Sequence, residues 1–489
     1  MSTPSTDPRR VLFGVMLVML LGAVNQTIVA VALPRIAERL DGFGLLAWVI
    51  SGYLVAATVV TPIYGKLFDR HGVRVTLAWA IALFAAGSLG CALSTSMPML
   101  VSFRVLQGMG GGGLISGAHA AIALTVSPRQ RGHYQAYFSG MFALASVLGP
   151  VAGGWLTDRL SWHWVFAANL PLSAIALATI RVRLRSLPVP GRRRPIDAAG
   201  ALLLALGLAA LLIAITRAGQ GAAWFGATNL AWIAAGAGLL GGYAWRERGA
   251  EDPTLPLALL RHRIVALGLL AQCLAHGSMI AMTVMVPLEL QLVVGLTPAA
   301  AATQLVALSL GPPTGSFIAG RTMAATGRYR PQQMIGAIAV TIAVGGLAVA
   351  IATDAPHRVA MALLFVAGVG FGLQFPTTLV AIQSVAPPEH VGAAVAAVNF
   401  ARSLGGAIGI ALLSTLLLEL LRRGAPELAA GAVGADVMRA LTETGAEALR
   451  ARMQPVAETA FEAVFGVCAA GGLLALALYR AMPERTLRG

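Results

Sequence analysis

The sequence predicts an all-α membrane protein, and three observations carry that prediction. Only 11% of the 489 residues are charged and 57% are hydrophobic, against roughly 25% charged in soluble chains; the mean hydropathy is +0.78. Apolar runs of about 20 residues recur along the whole length, each long enough to cross a hydrocarbon core of about 30 Å. The 35 Lys and Arg behind the net charge of +15 gather in short segments between those runs, as the orientation signals of membrane proteins do. That placement argues against nucleic acid as a partner.

Fourteen spans are expected, at roughly 11–33, 46–65, 75–94, 98–121, 135–156, 163–180, 198–216, 226–245, 264–292, 299–320, 332–352, 359–384, 395–418 and 460–480. The first holds 23 residues without a charge, too long for a signal-peptide core of roughly 7–15. An even count places both termini on one side. On that side the connecting segments hold 23 Lys and Arg, against 10 on the other, five of these in the long segment after span 13. The positive-inside rule then places both termini in the cytoplasm of a multi-pass inner-membrane protein.

The basic loop Arg181–Asp197 follows span 6, and a second charged loop, Arg246–Arg263, follows span 8. Three regions result: a six-helix bundle at 1–181, a loop and inserted helix pair at 182–258, and a second six-helix bundle at 259–489. The polar segment Leu421–Thr459 is expected outside the membrane over the bundle mouth, either as a cap or as a spacer. An internal repeat supports two related halves. IYGKLFDRHGVR at 63–74 and IAGRTMAATGRY at 318–329 align at a constant offset of 255, matching Ile63, Gly65, Lys66 and Gly72 to Ile318, Gly320, Arg321 and Gly327. Repeated halves around a central site are a common transporter plan.

Several chemistries find no support. Cys91, Cys273 and Cys468 all lie in apolar runs without a CxxC pair, so neither a disulfide framework nor a metal site is indicated. Gly65–Lys66 lacks Walker A spacing, and no HExxH or GxSxG occurs. No enzyme and no cofactor are expected.

GKLFDRHGVRVTL (65–77), FRVLQGMGGG (103–112) and LGPVAGGWL (148–156) resemble, in order and position, the signatures of the major facilitator superfamily. TIVAVALPRI, SWHWVFAANLP (161–171), PLELQLVVGLTP (287–298) and NFARSLGGAIG (399–409) resemble the fourteen-span drug:proton antiporters of EmrB/QacA type. The resemblance covers nearly the whole chain. It implies the major facilitator fold, alternating access, and export of a small amphipathic organic substrate in exchange for protons, from a lipid bilayer and with a monomer favoured. By resemblance, Gly65, Asp69, Arg70, Gly72 and Arg74 form a cytoplasmic gate motif. The second copy carries Ala324 opposite Asp69, so a one-sided latch is expected. Gly149, Pro150, Gly153 and Gly154 match the span-5 antiporter motif. Ala145, Gly149 and Gly153 also lie four apart, a face that admits a neighbouring helix closely, while Pro150 invites a bend.

Arg104 and Arg402 are charges within spans, which normally face the bundle interior and have a partner. Gln107 is the expected partner of Arg104 and Asn399 that of Arg402; each arginine is either a coupling residue or a structural hub. The resemblance implies an acid at Asn25, where this chain has an amide, and an aromatic at Glu289, where it has an acid. A carboxylate out of water holds its proton to higher pH, which suits a proton carrier. Glu289 has taken over the coupling, or it reaches water at the outer end of span 9, or coupling is lost and the chain is a facilitator for one metabolite or lipid. His119 and His276 are further titratable groups in or near spans. Gln26, Phe371, Gln374 and Phe375 are candidate cavity-lining residues. A receptor or scaffold without transport is the reading from another class.

Overall fold

A computed structural model describes residues 8–40, 45–185, 187, 197–219, 222–247, 257–296, 298–353, 355–387, 390–424 and 447–487. Helix is the only regular structure among them. The elements are α1 (Pro8–Leu40), α2 (Leu46–His71), α3 (Val73–Ala92), α4 (Met97–Thr125), α5 (Pro128–Arg159), α6 (His163–Ala167), α7 (Asn169–Arg183), α8 (Ala198–Gly219), α9 (Ala227–Glu247), α10 (Leu257–Leu260), α11 (Arg263–Leu292), α12 (Pro298–Thr326), α13 (Arg330–Ala352), α14 (His357–Val385), α15 (Val391–Gly424) and α16 (Glu447–Ala481). Helix lies over every expected span, span 6 being divided into α6 and α7 at Ala168. Among the described residues, 11 helical segments are long and apolar enough to cross a membrane.

Helices are dictated because backbone N–H and C=O groups in hydrocarbon must be satisfied within the segment. Their ends carry the usual signals. Ser96 accepts from the Met99 N–H at the start of α4, and Pro128 opens α5, where its missing donor costs nothing. Gly72 and Gly327 have φ of 80° and 67°, a region that favours glycine. These are the repeat-matched glycines, and each donates its N–H to the carbonyl four residues back, Phe68 and Met323. The repeat seen in the sequence is therefore a repeated turn.

In the first half, α4 packs between α2 and α3. Its glycines permit this: a Cβ on Gly112 would lie 2.4 Å from the Ala57 carbonyl oxygen, and one on Gly110 2.3 Å from the Phe84 nitrogen. In the second half α14 packs on α12 and α13, α13 on α16, and α11 on α15. The halves meet through α5 against α12 and through α15 against α2 and α4. Helices α8 and α9 pair with each other, and α8 spans from α2 to α15. Leu204, Leu208 and Leu212 form a cluster there with Val59, Phe400 and Leu404.

Leu421–Gly424 continue α15, and Glu447–Thr459 begin α16. The expected polar segment is thus helical at both ends, because helix propagation adds a hydrogen bond per residue once started. Its middle, 425–446, lies outside the described residues. The molecule has a terminal face, where α1 starts and α16 ends, and an opposite, far face.

Asp197 anchors the α8–α9 pair. Its Oδ1 accepts from the Gly200 N–H at 2.9 Å, and Arg246 Nε donates to Oδ1 and Oδ2 at 2.9 and 3.0 Å. The Gly200 N–H, and after it Arg246, hold the carboxyl below the usual carboxylate range. A depressed pKa means that the contribution is complete above the unfolded-state value and is lost as pH falls through the lower folded-state one. Asp197→Ala is expected to cost about 1 kcal/mol, the usual worth of an N-cap. Thermal unfolding in detergent at pH 7 will show the loss, and the gap to wild type begins to close only as pH falls below about 4.

Candidate functional site

Three polar layers cross the molecule. The first is a gate at the terminal face. Asp69, at the end of α2, accepts from the Gly392 N–H (2.7 Å, Oδ1) and the Ala393 N–H (2.9 Å, Oδ2) at the start of α15. The helix it caps is α15, in the other half, not the adjacent α3. A carboxylate at a helix N-terminus satisfies orphan donors and meets the positive end of the dipole. Gly65 permits the approach, since a Cβ there would lie 2.5 Å from the Ala396 Cβ.

The expected one-sided latch is corrected by the structure. At the start of α5, Arg129 Nε donates to the Ala324 carbonyl at 2.5 Å and Nη2 to that of Ala325 at 2.9 Å. These are the last turns of α12, and Ala324 is the repeat counterpart of Asp69. The second copy lacks the acid, and its backbone takes the cation of the facing helix instead. Both latches therefore join the halves, with opposite polarity: an acid on a helix start, a base on a helix end. Arg131 extends the seam, donating to Ala123 O and to Gln383 Oε1 at 2.6 and 3.4 Å. Deeper in, Ser139 and Ser316 hydroxyls lie 2.8 Å apart between α5 and α12. Arg70 Nε and Nη1 make no hydrogen bond; Arg74 is half-buried on the first turn of α3.

The second layer lies in the first half toward the far face. Asn25 is fully buried (0% exposed). Its Oδ1 accepts from Gln107 Nε2 at 3.0 Å and Asn169 Nδ2 at 3.2 Å. Gln107 Nε2 also donates to Ser88 Oγ at 2.7 Å, and its Oε1 accepts from Arg104 Nη1 at 2.5 Å. Arg104 donates from Nε to Val49 O at 2.7 Å and lies 4.4 Å from the Tyr53 ring centroid. The Arg104–Gln107 pairing is as the sequence suggests. Ser88 and Asn169 are not singled out by the sequence; the signal for Asn169 is its place in SWHWVFAANLP.

The third layer lies in the second half, with His119 of the first half near it. With the Gln272 amide turned so that its oxygen faces α15, that oxygen accepts from Arg402 Nε at 2.5 Å and Nη2 at 2.7 Å. Nη2 also donates to Phe375 O at 3.0 Å, and the guanidinium lies 5.2 Å from the Phe375 ring. The partner of Arg402 is thus Gln272 rather than Asn399, whose Nδ2 has no partner. His276 packs on Phe375 at 5.3 Å, and both His276 and His119 of the first half lie within electrostatic reach of Arg402. The sequence leaves the histidines as isolated groups; only the packing brings them together.

Glu289 is buried, at 8% exposure, three residues before the end of α11. Its neighbours Met285, Val286, Leu290 and Leu292 belong to the apolar core. The acid is near the far end of its span, as one sequence alternative has it, but it is buried rather than in water. It makes no ion pair with a described residue. Gly149 and Gly153 face α1, where a Cβ would lie 1.9 Å from Thr27 Oγ1 and 2.8 Å from Ile28 O; a Cβ on Gly154 would meet only Val31, at 3.9 Å. Pro150 is exposed within an unbroken α5. Of the candidate cavity residues, Phe375 reaches the third layer. Phe371 is sealed in the core of the second half and Gln374 is buried against α13, so neither offers a ligand a surface in this state. Gln26 is exposed.

The family model of the Major Facilitator Superfamily matches residues 15–410. The chain belongs to the major facilitator superfamily. It is 31% identical over 424 residues to Multidrug transporter protein MdtP of Bacillus subtilis, covering 85% of this chain and 77% of that one. It is also 31% identical over 409 residues to Multidrug resistance protein 3 of the same organism, covering 83% and 79%. Among solved structures, the proton:xylose symporter XylE bound to 6-bromo-6-deoxy-D-glucose matches with a TM-score of 0.62 and 16% identity, over 98% of this chain and 97% of that one. At that identity the match speaks to the fold. The protein is a multi-pass membrane transporter of the superfamily.

Two predictions follow from this geometry. With the native cysteines replaced, a cysteine at the buried Ser316 is expected to react at least tenfold faster with an impermeant thiol reagent once Arg129→Ala or Asp69→Asn is introduced. Removing a charge-assisted hydrogen bond costs about 1.5–3 kcal/mol, and about 1.4 kcal/mol is tenfold. Gly149→Ala is expected to lower stability by about 1–3 kcal/mol through overpacking, whereas Gly154→Ala stays within about 0.5 kcal/mol. Thermal unfolding of the two variants in detergent separates them.

Proposed function

We propose that this transporter exports amphipathic organic molecules across the cytoplasmic membrane in exchange for protons. It has fourteen spans and both termini in the cytoplasm. Two six-helix bundles, 1–181 and 259–489, rock about a central site, with the α8–α9 pair inserted between them. The observation that carries this reading is the double latch. Among the described residues, the hydrogen bonds between the two bundles all lie in the half of the molecule nearer the terminal face. Such a pattern suits one end state of an alternating-access cycle, closed on the cytoplasmic side. The multidrug relatives in Bacillus subtilis support the export of varied compounds.

Proton coupling is assigned to Glu289. Asn25 sits where the family resemblance implies an acid, and its Oδ1 accepts from two neutral amides while its Nδ2 has no partner. An amide cannot carry a proton through the cycle. Glu289 is the most buried carboxylate among the described residues. The membrane potential supplies about 2.3 kcal/mol per charge per 100 mV, enough to drive export once a proton is coupled.

A second reading, a facilitator for one metabolite or lipid, is favoured by Asn25 alone. Inverted vesicles loaded with a pH dye decide between them. Addition of an amphipathic dye is expected to release protons from wild type, and Glu289→Gln at equal expression to abolish the release while downhill movement continues. An unchanged signal in the variant removes Glu289 from the mechanism. Downhill movement without proton release in wild type establishes the facilitator, and Asn25→Asp is then expected to confer pH dependence.

A further inference from the structure

The third layer contains a cation without an anion. Arg402 is half-buried at the seam of the two bundles, about 16 Å along α15 from its start. Its described partners are all neutral: the Gln272 side-chain oxygen, the Phe375 carbonyl and the Phe375 ring. Nη1 has no partner among the described residues. Helices α4 and α14, which face it, carry no Asp or Glu at all. On α11 and α15 the nearest acids are Glu289 and Glu419, each 17 residues from Gln272 and Arg402, or about 25 Å along the helix, and Asp69 of α2 is engaged at the start of α15, about 15 Å along it from Arg402. A charge withdrawn from water without a counter-charge is costly. The surroundings add no negative charge either, being two imidazoles, His119 and His276, and the phenol of Tyr479.

We propose that the missing counter-charge is supplied by the transported molecule. Its carboxylate docks on Arg402, and its apolar body lies against Phe375 and the His276 ring. Arg402, Phe375 and His276 belong to the second bundle, and His119 of the first lies across the seam within electrostatic reach of the guanidinium. A guanidinium presents parallel donors that match a carboxylate, and a fixed aromatic wall suits the rest of an amphipathic molecule. This inference rests on the reading of the chain as an exporter and gives its substrate class: amphipathic organic acids rather than lipophilic cations.

Calorimetric titration of the full chain in lipid nanodiscs tests it with three probes sharing one ring: 1-naphthylacetate, 1-naphthylmethylammonium and 2-(1-naphthyl)ethanol. In wild type the acid is expected to bind at least tenfold tighter than the cation. Arg402→Gln is expected to remove at least tenfold of the affinity for the acid while leaving the alcohol within threefold. Gln272→Glu places an internal carboxylate on the guanidinium; it is expected to abolish acid binding without lowering the melting temperature, so the test survives misfolding of the arginine variant. Equal or tighter binding of the cation in wild type, no binding of the acid, or unchanged acid binding in Gln272→Glu overturns the proposal. Vesicle uptake separates this from the exporter reading. Arg402-dependent acid binding without transport defeats export and leaves the site; cation transport without acid binding does the reverse.

Discussion

A helix that ends inside a protein leaves four N–H or four C=O groups unpaired, and the closed face of this transporter is built on that fact. The start of α15 presents donors and the end of α12 presents acceptors. Asp69 meets the first and Arg129 the second. Each contact is charge-assisted and each joins opposite bundles, so the seam is held by backbone as much as by side chains. The small residues around it, Gly65 and Gly392 among them, bring the helix ends close enough for short side chains to reach. The Ser139–Ser316 contact and the burial of the deeper layers follow from that closure.

Much of the fold was legible because a bilayer leaves few choices. Apolar runs, loop arginines and the 255-residue offset were enough to place the helices and the repeated turn at Gly72 and Gly327. What the sequence did not reveal were relations between helices distant in the chain. Asp69 gives no sign in the sequence of the backbone it binds, 323 residues away. Ala324 looked like a missing latch because only side chains can be read from a sequence, whereas its carbonyl does the bonding. Arg402 was assigned the amide nearest in sequence, yet packing delivers Gln272 from another helix. Phe371 has the composition of a cavity residue and the position of a core one.

The Asn25 network shows an amide in place of an expected acid, with its oxygen bonded twice and its buried Nδ2 left without a partner. Asn25 Oδ1 accepts two hydrogen bonds, from Gln107 and Asn169, as a carboxylate oxygen would. Arg104 is reached only through Gln107 and is satisfied by Val49 O and the face of Tyr53. The layer is neutral except for its arginine, and it is tightly bonded. Such a site holds helices in register. Titration, if the transporter uses it, has to occur elsewhere.

The α8–α9 pair has a further effect that follows from where it lies. The two bundles meet along two seams, α2 with α15 and α5 with α12, and α8 covers the first of them. That flank is closed to the surrounding lipid by Leu204, Leu208 and Leu212. The other flank exposes Leu148, Val151 and Trp155 of α5. The bilayer therefore meets two unlike flanks, one covered by the α8–α9 pair and one on which α5 lies exposed. A nearly symmetric molecule is thereby made one-handed toward its lipid.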